Sequence, residues 1–512
     1  MRMPRLALTG LVLAALAAPS ATPALAQGGA PGATLRIGIA SDPDVLDPTL
    51  SRSLAARQVF AAMCDKLLDL DAEGRLVPQL ATAWRWEEEG RALVLALRPG
   101  VRFHDGAAMD AAAVAAGLRR HLDTPASTRR GEMGPLREVV ATGPLEVTLR
   151  LEQPFAPLLA ALSDRAGMIV SPGAAGRVNQ DFAREPLCAG PFRFVRRVAQ
   201  DRIELERFAG YWDAARIHVD RLVYRPITDS TVTAANLRAG TLDVAERVAA
   251  TDLPELGADR RVRIAAAPSL NSVYIAVNVA NGPRAATPFG RDPRAREALE
   301  RAIDRQALVQ VAFDGQYLPG NQSASPASPN YVAALPVPGR DLPRARALLR
   351  EAGFEGRAKL RLSVPNTSEY TQAAEVIQAM AAEARIEVEL QLVETATLLR
   401  QWTAGDFEAL LIAWSGRVDL DGNLWGFNAC GESLNGGRYC SAEADAALRE
   451  GRTSVDPARR AAAYEAAMRV LLRDRPYIYL WHSRVLHGAS SRLEGLRAHP
   501  DGLVRVQDLR LR

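Results

Sequence analysis

The sequence predicts an α/β protein of more than one domain, and three observations say so. Strand-like alternation recurs along the chain. Capped helices separate the strands of its second half. The chain has 512 residues, where one domain usually takes roughly 100–200, so two or three domains are expected. A hydrophobic content of 48% with 24% charged residues is that of an ordinary globular protein.

The first residues read as a secretion signal. Arg2 and Arg5 precede an apolar run, Leu6–Ala17, and Ala24-Leu25-Ala26 is a small-x-small cleavage site before Gln27. The run is shorter than the roughly 20 residues a membrane span needs, and Pro19 and Pro23 interrupt it. No cysteine follows the cleavage site, so no lipid anchor is expected there. A soluble protein of a Gram-negative periplasm fits these ends.

Leu35–Ala40, Ala92–Leu97, Leu145–Leu151 and Ile203–Phe208 alternate like strands. Met109–His121 has helical spacing with Asp110 as a cap, and Thr231–Ala239 is a helix ended by Gly240. Asp292-Pro293 is a cap followed by a first-turn proline, after which Ala295, Ala298, Leu299, Ala302 and Ile303 share one face. Asp341 and Pro343 open a further helix that Gly353 closes. Strand Leu360–Val364, helix Thr371–Ala384, strand Ile386–Leu392, a short helix near Thr395–Trp402 and strand Phe407–Trp414 follow. This alternation predicts βαβ units with largely parallel pairing. Ligands of such sheets bind beyond the carboxyl ends of strands, which directs attention to the residues after Trp414.

The formal charge of +4 is a small excess spread among interleaved Arg, Asp and Glu. It gives no basic patch and no case for nucleic-acid binding. The four cysteines, Cys64, Cys188, Cys430 and Cys440, suggest disulfides in an oxidising compartment, with three pairings open. Cys430 and Cys440 flank a Gly-rich turn and are the favoured pair, which leaves Cys64 with Cys188. No C-x-x-C spacing supports metal ligation.

Several stretches carry a family likeness. The opening LRIGIASDPDVLDPTLS (35–51), CDKLLDLDAEGRLVPQLATAWRW (64–86) and ALVLALRPGVRFHDG (92–106) is followed by CAGPFRF (188–194), VYIAVNVANGP (273–283) and DFEALLIAWSGRVDLDGN (406–423). In this order they resemble the extracellular solute-binding proteins, family 5, that deliver peptides, opines, nickel complexes and related solutes to ABC importers. The resemblance implies a two-lobed binding-protein fold, class II-like and of the large peptide-binding type, with an inserted domain and a hinged cleft. One lobe would comprise 33–50, 186–265 and 481–512, with the inserted domain at 51–185; the other would be 266–480. Its partners would be a peptide-like or anionic small solute and an inner-membrane permease with its ATPase subunits. The protein would be a monomer without cofactor or catalytic activity.

The resemblance also implies a cleft. Trp414, Ser415, Gly416, Arg417, Val418 and Asp419 match the segment where a tryptophan packs on the ligand and its backbone pairs with it. In peptide-binding relatives an aspartate three residues after that tryptophan holds the peptide ammonium; here the position is Arg417. An ammonium about 4 Å from this guanidinium would be repelled by roughly 4 kcal/mol at an effective dielectric near 20. A carboxylate or phosphate would instead be gripped by its fork. Two partners stay open to Arg417: an acid group of the ligand, or Asp419. Tyr274 and Asn278 share a strand face that the resemblance places in the cleft, with Val273, Ile275 and Val277 facing the core. Trp402 and Asn435 are further candidates, and Ser51 and Arg52 would come from the other lobe.

Two rival readings remain. A nickel chelate or haem could occupy the same fold. A secreted hydrolase would need a nucleophile with a base or a metal cluster, but no G-x-S-x-G, S-x-x-K or H-E-x-x-H occurs. His104-Asp105 lies within the FHDG landmark and reads as packing.

Overall fold

The computed structural model describes residues 32–175, 180–326, 328 and 330–512. The expected signal, Met1–Ala26, lies outside the described residues. Two large mixed sheets and a smaller antiparallel one organise the chain. The seven-stranded sheet is centred on Thr34–Ile39, which pairs parallel with Arg221–Pro226 and with Val244–Ala245. Arg202–Arg207, Phe192–Val198, Arg484–Ser490 and Val262–Pro268 complete it. The six-stranded sheet runs in the order Leu318–Pro319, Tyr477–His482, Ser272–Val277, Ala409–Trp414, Ala358–Pro365, Ile386–Val393. The four-stranded sheet, Ala81–Glu87, Ala92–Leu97, Glu146–Leu151 and Leu136–Gly143, lies in sequence between the first two strands of the seven-stranded one.

Local chemistry explains the helix ends. Asp110 accepts from the N–H of Ala113 and starts helix Ala111–Asp123; Asp292 and Asp341 do the same for Pro293–Ala302 and Leu342–Glu351. Gly240, at φ 73°, ends Ser230–Ala239 in the left-handed conformation a side chain resists.

The strands that alternate with helices pair parallel, as expected, and the remainder of the six-stranded sheet does not. In the six-stranded sheet only Ala358–Pro365 pairs parallel, with Ile386–Val393 and with Ala409–Trp414. Ser272–Val277 lies antiparallel to both Ala409–Trp414 and Tyr477–His482. Burial on both faces gives the same continuous apolar run in either direction, so the residue pattern carries no sign for it.

The chain passes between the large sheets at 269–271 and at Ser483, slightly beyond the expected limits of 265 and 480. Val262–Pro268 stays in one sheet and Tyr477–His482 in the other. The Asn271 side chain fastens the two crossovers, accepting from the Ser483 N–H at 2.8 Å and donating to Ser483 Oγ at 3.0 Å. A second correction concerns helix Leu54–Met63, expected in the inserted domain. Its Ala55, Ala56, Val59, Phe60 and Met63 pack into the core of the seven-stranded sheet, whereas the separate inserted core begins at Leu67. Both disulfides form: Cys64–Cys188 joins the end of this helix to the approach of strand Phe192–Val198, and Cys430–Cys440 closes a short loop.

Candidate functional site

Strand Ala409–Trp414 ends at the junction of the two halves, and a glycine turns the chain there. Gly416 has φ 79°, and a Cβ on it would lie 1.9 Å from the Leu270 carbonyl oxygen. Asn423, in the helix Asp421–Asn428, then folds back on the turn. Its Oδ1 accepts from Trp414 Nε1 at 2.9 Å and from the Arg417 N–H at 2.7 Å, while its Nδ2 donates to the Arg417 carbonyl at 2.8 Å. Sequence reasoning missed Asn423 as a site residue, although it closes the 406–423 landmark.

The turn presents Arg417 with its guanidinium over the Trp414 ring, 4.7 Å from the centroid. Asp419 is not its partner. Both oxygens of Asp419 accept from Arg460 Nη2 at 2.8 Å, so Arg417 is left to other carboxylates. These come from the inserted side of the molecule. Glu132 Oε1 lies 4.0 Å from Arg417 Nη2, and Asp164 is within electrostatic reach. Burial lowers the Arg417 guanidinium, with Asp164 and Glu132 opposing that and Arg57 and Arg129 adding to it.

Arg57, Arg129 and Arg165 surround the same two acids. Arg57 Nε donates to Asp164 Oδ1 at 3.0 Å, and Arg129 Nη1 grips both oxygens of Glu132 at 2.7 and 2.8 Å. Burial alone would raise the Asp164 carboxyl, but Arg57, Arg165, Arg417 and Arg129 together hold it well below the usual carboxylate range. Burial pulls Arg165 down to about 9. Ser51, expected at the cleft, is fully buried and contributes its carbonyl, which accepts from Arg129 Nη2 at 3.1 Å and Arg165 Nη1 at 2.9 Å. Arg52 is exposed, its backbone N–H held by Asp44. No local motif marked Arg57, Arg129 or Arg165, because segments distant in sequence bring them together.

An aromatic wall borders the turn. Tyr274 packs edge-on to Tyr477 and Tyr479 at 5.1 and 5.4 Å, and Trp414 to Phe427 at 4.9 Å. These rings pack closely with Ser272 and Asn423 and leave no cavity large enough for a water molecule. Tyr274 thus lies beside Trp414, while Val273, Ile275 and Val277 face the opposite core.

Three expected cleft residues turn inward instead. Asn278 is fully buried, its amide donating to the carbonyls of Asn281, Gly405 and Phe407. Trp402 stacks on Phe407 at 6.0 Å beneath the aromatic wall. Asn435 is buried and clasps the disulfide loop through Ala429 and Tyr439. An amide that satisfies loop carbonyls and an indole that fills core volume look, in sequence, like an amide and an indole aimed at ligand. Ser415 is exposed, and the Val418 carbonyl accepts from Asn330 Nδ2 at 3.0 Å. His104 packs edge-on to Phe208, its Nε2 at 3.1 Å from the Gly190 carbonyl. Among the described residues no cluster of three or more His, Cys, Asp or Glu could hold a metal ion, and no helix is long and apolar enough to cross a membrane.

Two sheets joined by paired crossovers, with charged and aromatic groups gathered between them, define a two-lobed solute-binding protein. Residues 75–435 match the model of the bacterial extracellular solute-binding proteins, family 5, and the chain belongs to that family. It is the solute-binding component of an ABC importer. Curated relatives include the glutathione-binding protein GsiB of Pectobacterium atrosepticum, 27% identical over 485 residues, with 92% of this chain and 93% of the relative covered. GsiB of Escherichia coli O157:H7 is 27% identical over 482 residues, with 91% and 92% covered. Among solved structures, the ABC transporter substrate-binding protein CtaP of Listeria monocytogenes superposes with a TM-score of 0.84 at 21% identity, covering 94% of this chain and 99% of that one. AgaA of A. tumefaciens R10 in complex with agropinic acid gives 0.79 at 22%, with the same coverage. The oligopeptide-binding protein AppA of Bacillus subtilis, in complex with a nonapeptide, gives 0.78 at 24%, again with that coverage. These likenesses show the fold.

Proposed function

We propose that this protein captures a small, acid-bearing, peptide-like solute between its lobes in the periplasm. It passes the solute unchanged to an inner-membrane permease and its ATPase subunits. In this reading a cleaved signal at 1–26 exports the chain, which works as a monomer, and the lobes close on ligand contacts drawn from both sides.

The observation that carries the reading is Arg417. It lies on Trp414 at the end of a central strand, and Arg460 has taken the carboxylate that would otherwise neutralise it. An ammonium about 4 Å away would lose roughly 4 kcal/mol there, about a thousandfold in affinity. A carboxylate gains a charge-assisted pair of hydrogen bonds. The names of the curated relatives support an acid-bearing peptide, since glutathione carries two carboxylates.

Native mass spectrometry of the protein as purified tests the reading. It should reveal a co-isolated acid of low mass that is lost from Arg417→Ala. A co-isolated base, a metal chelate in the elemental analysis, or an acid that Arg417→Ala still retains would overturn it.

A further inference from the structure

We propose that Arg129 and Arg165, with Arg57 behind them, complete with Arg417 one carboxylate-binding site across the two lobes. In it Glu132 occupies the place of the solute's acid group. This rests on the acid-bearing solute proposed above and adds which residues grip the acid and what it must displace.

The arginines of the inserted side are held in position without Glu132. Arg129 is 2% exposed in its side chain, and Ser51 O and Thr128 Oγ1 accept from its Nη2 at 3.1 and 2.6 Å. Arg165 is fastened to the same Ser51 carbonyl, yet its buried Nε has no hydrogen-bond partner, nor has the buried Oδ2 of Asp164 beside it. Four guanidiniums are gathered around two carboxylates, an excess of two positive charges in a largely buried setting. Such an excess is costly in the absence of an anion.

Glu132 is the group that can leave. Its side chain is 27% exposed, and it lies in a single turn, Arg130–Met133, with Gly131 inside the turn and Gly134 just after it. Its Oε1 is shared between Arg129 at 2.7 Å and Arg417 at 4.0 Å, the latter too long for a hydrogen bond. The second grip is therefore incomplete in the resident arrangement. A freely placed carboxylate can satisfy both forks at once. Gly131, Gly134 and, beside them, Phe155 also line a cavity of about 310 Å³ between the halves, with Trp425 and Arg452 across it. That gives the displaced side chain, or the remainder of the solute, room beside the site.

The test uses glutarate, a bare dicarboxylate, titrated calorimetrically into dialysed full-length protein at low chloride. Wild type should bind it weakly. Glu132→Gln, which removes the resident competitor, should bind it about tenfold more tightly. Glu132→Asp, too short to reach Arg417 but still beside Arg129, should tighten it by a smaller factor and guards against a folding defect in the first variant. Equal or weaker binding by both variants, or no glutarate binding by any of the three proteins, overturns the proposal. The two readings fail separately. Loss of the native solute from Arg417→Ala without tightening in Glu132→Gln keeps the acid-bearing solute and removes the resident carboxylate. Retention of the native solute by Arg417→Ala with tightening in Glu132→Gln keeps the site and removes that occupant.

Discussion

Gly416 shows how one residue sets the geometry of the cleft. Its φ of 79° and the Leu270 carbonyl, 1.9 Å from where a Cβ would lie, leave no space for a side chain. Gly416→Ala should therefore cost more than about 1 kcal/mol of stability. It should also weaken solute binding at least tenfold by tilting the Trp414–Arg417 turn, as urea titration and calorimetry on one preparation would show. Glu246 carries a different liability. It is 7% exposed, its Oε1 accepts from the Ala40 N–H at 3.0 Å, and its Oε2 is unpartnered. Burial pushes its carboxyl from the ordinary 4.5 up to about 7. The folded state thus holds this proton more tightly than the unfolded chain does. The stability it contributes is complete below about pH 4.5 and is lost as the pH rises through 7. Relative to wild type, Glu246→Gln should gain up to roughly 3 kcal/mol at about pH 8 and nothing near pH 4. Unfolding midpoints at the two pH values check it; a gain that does not depend on pH would point to packing instead.

At the scale of elements, much of the chain was legible. The alternation at Ala92–Leu97, the Asp110 cap and the Asp292-Pro293 start predicted elements that form within a residue or two. These are signals local to a few residues. Parallel pairing was legible for the strands within 358–414, which alternate with helices, but the antiparallel direction of Ser272–Val277 was not, because that strand is buried on both faces and would read the same if its neighbours ran parallel. Nor was the allegiance of helix Leu54–Met63, whose apolar face fits either of two adjoining cores. The Cys64–Cys188 disulfide ties that helix to a segment 124 residues away, whereas Cys430–Cys440 spans 10. On loop-closure entropy, replacing the long-range pair with serines should cost about 5 kcal/mol and the short-range pair about 3. Guanidinium unfolding of the two double-serine proteins would measure both, and the reverse order would show that native-state contacts outweigh the unfolded chain's freedom.

For the whole molecule, contacts between the halves decide how open it stands without solute. The Ala156 N–H donates to the Arg452 carbonyl at 3.1 Å, and the Arg452 guanidinium lies between Phe155 at 5.0 Å and Trp425 at 4.1 Å. Arg452→Ala keeps the backbone bond but removes the guanidinium from between the two rings and from Asp421, which it pairs with at 3.2 Å. It should enlarge the radius of gyration of the ligand-free protein and raise the solute Kd by roughly three- to tenfold through a smaller closed population. X-ray scattering with calorimetry checks it; an unchanged radius would mean that Arg452 braces only its own lobe. By itself the sequence determined the α/β class, the capped helices, the family likeness and the strand that ends at Trp414, because each is written in neighbouring residues. Only the tertiary structure decided that Asp419 goes to Arg460, that Asn278 and Asn435 clasp loops, and that Arg57, Arg129 and Arg165 meet Arg417. Those outcomes depend on which distant segments touch, and a guanidinium or an amide carries no mark of the partner that folding brings to it.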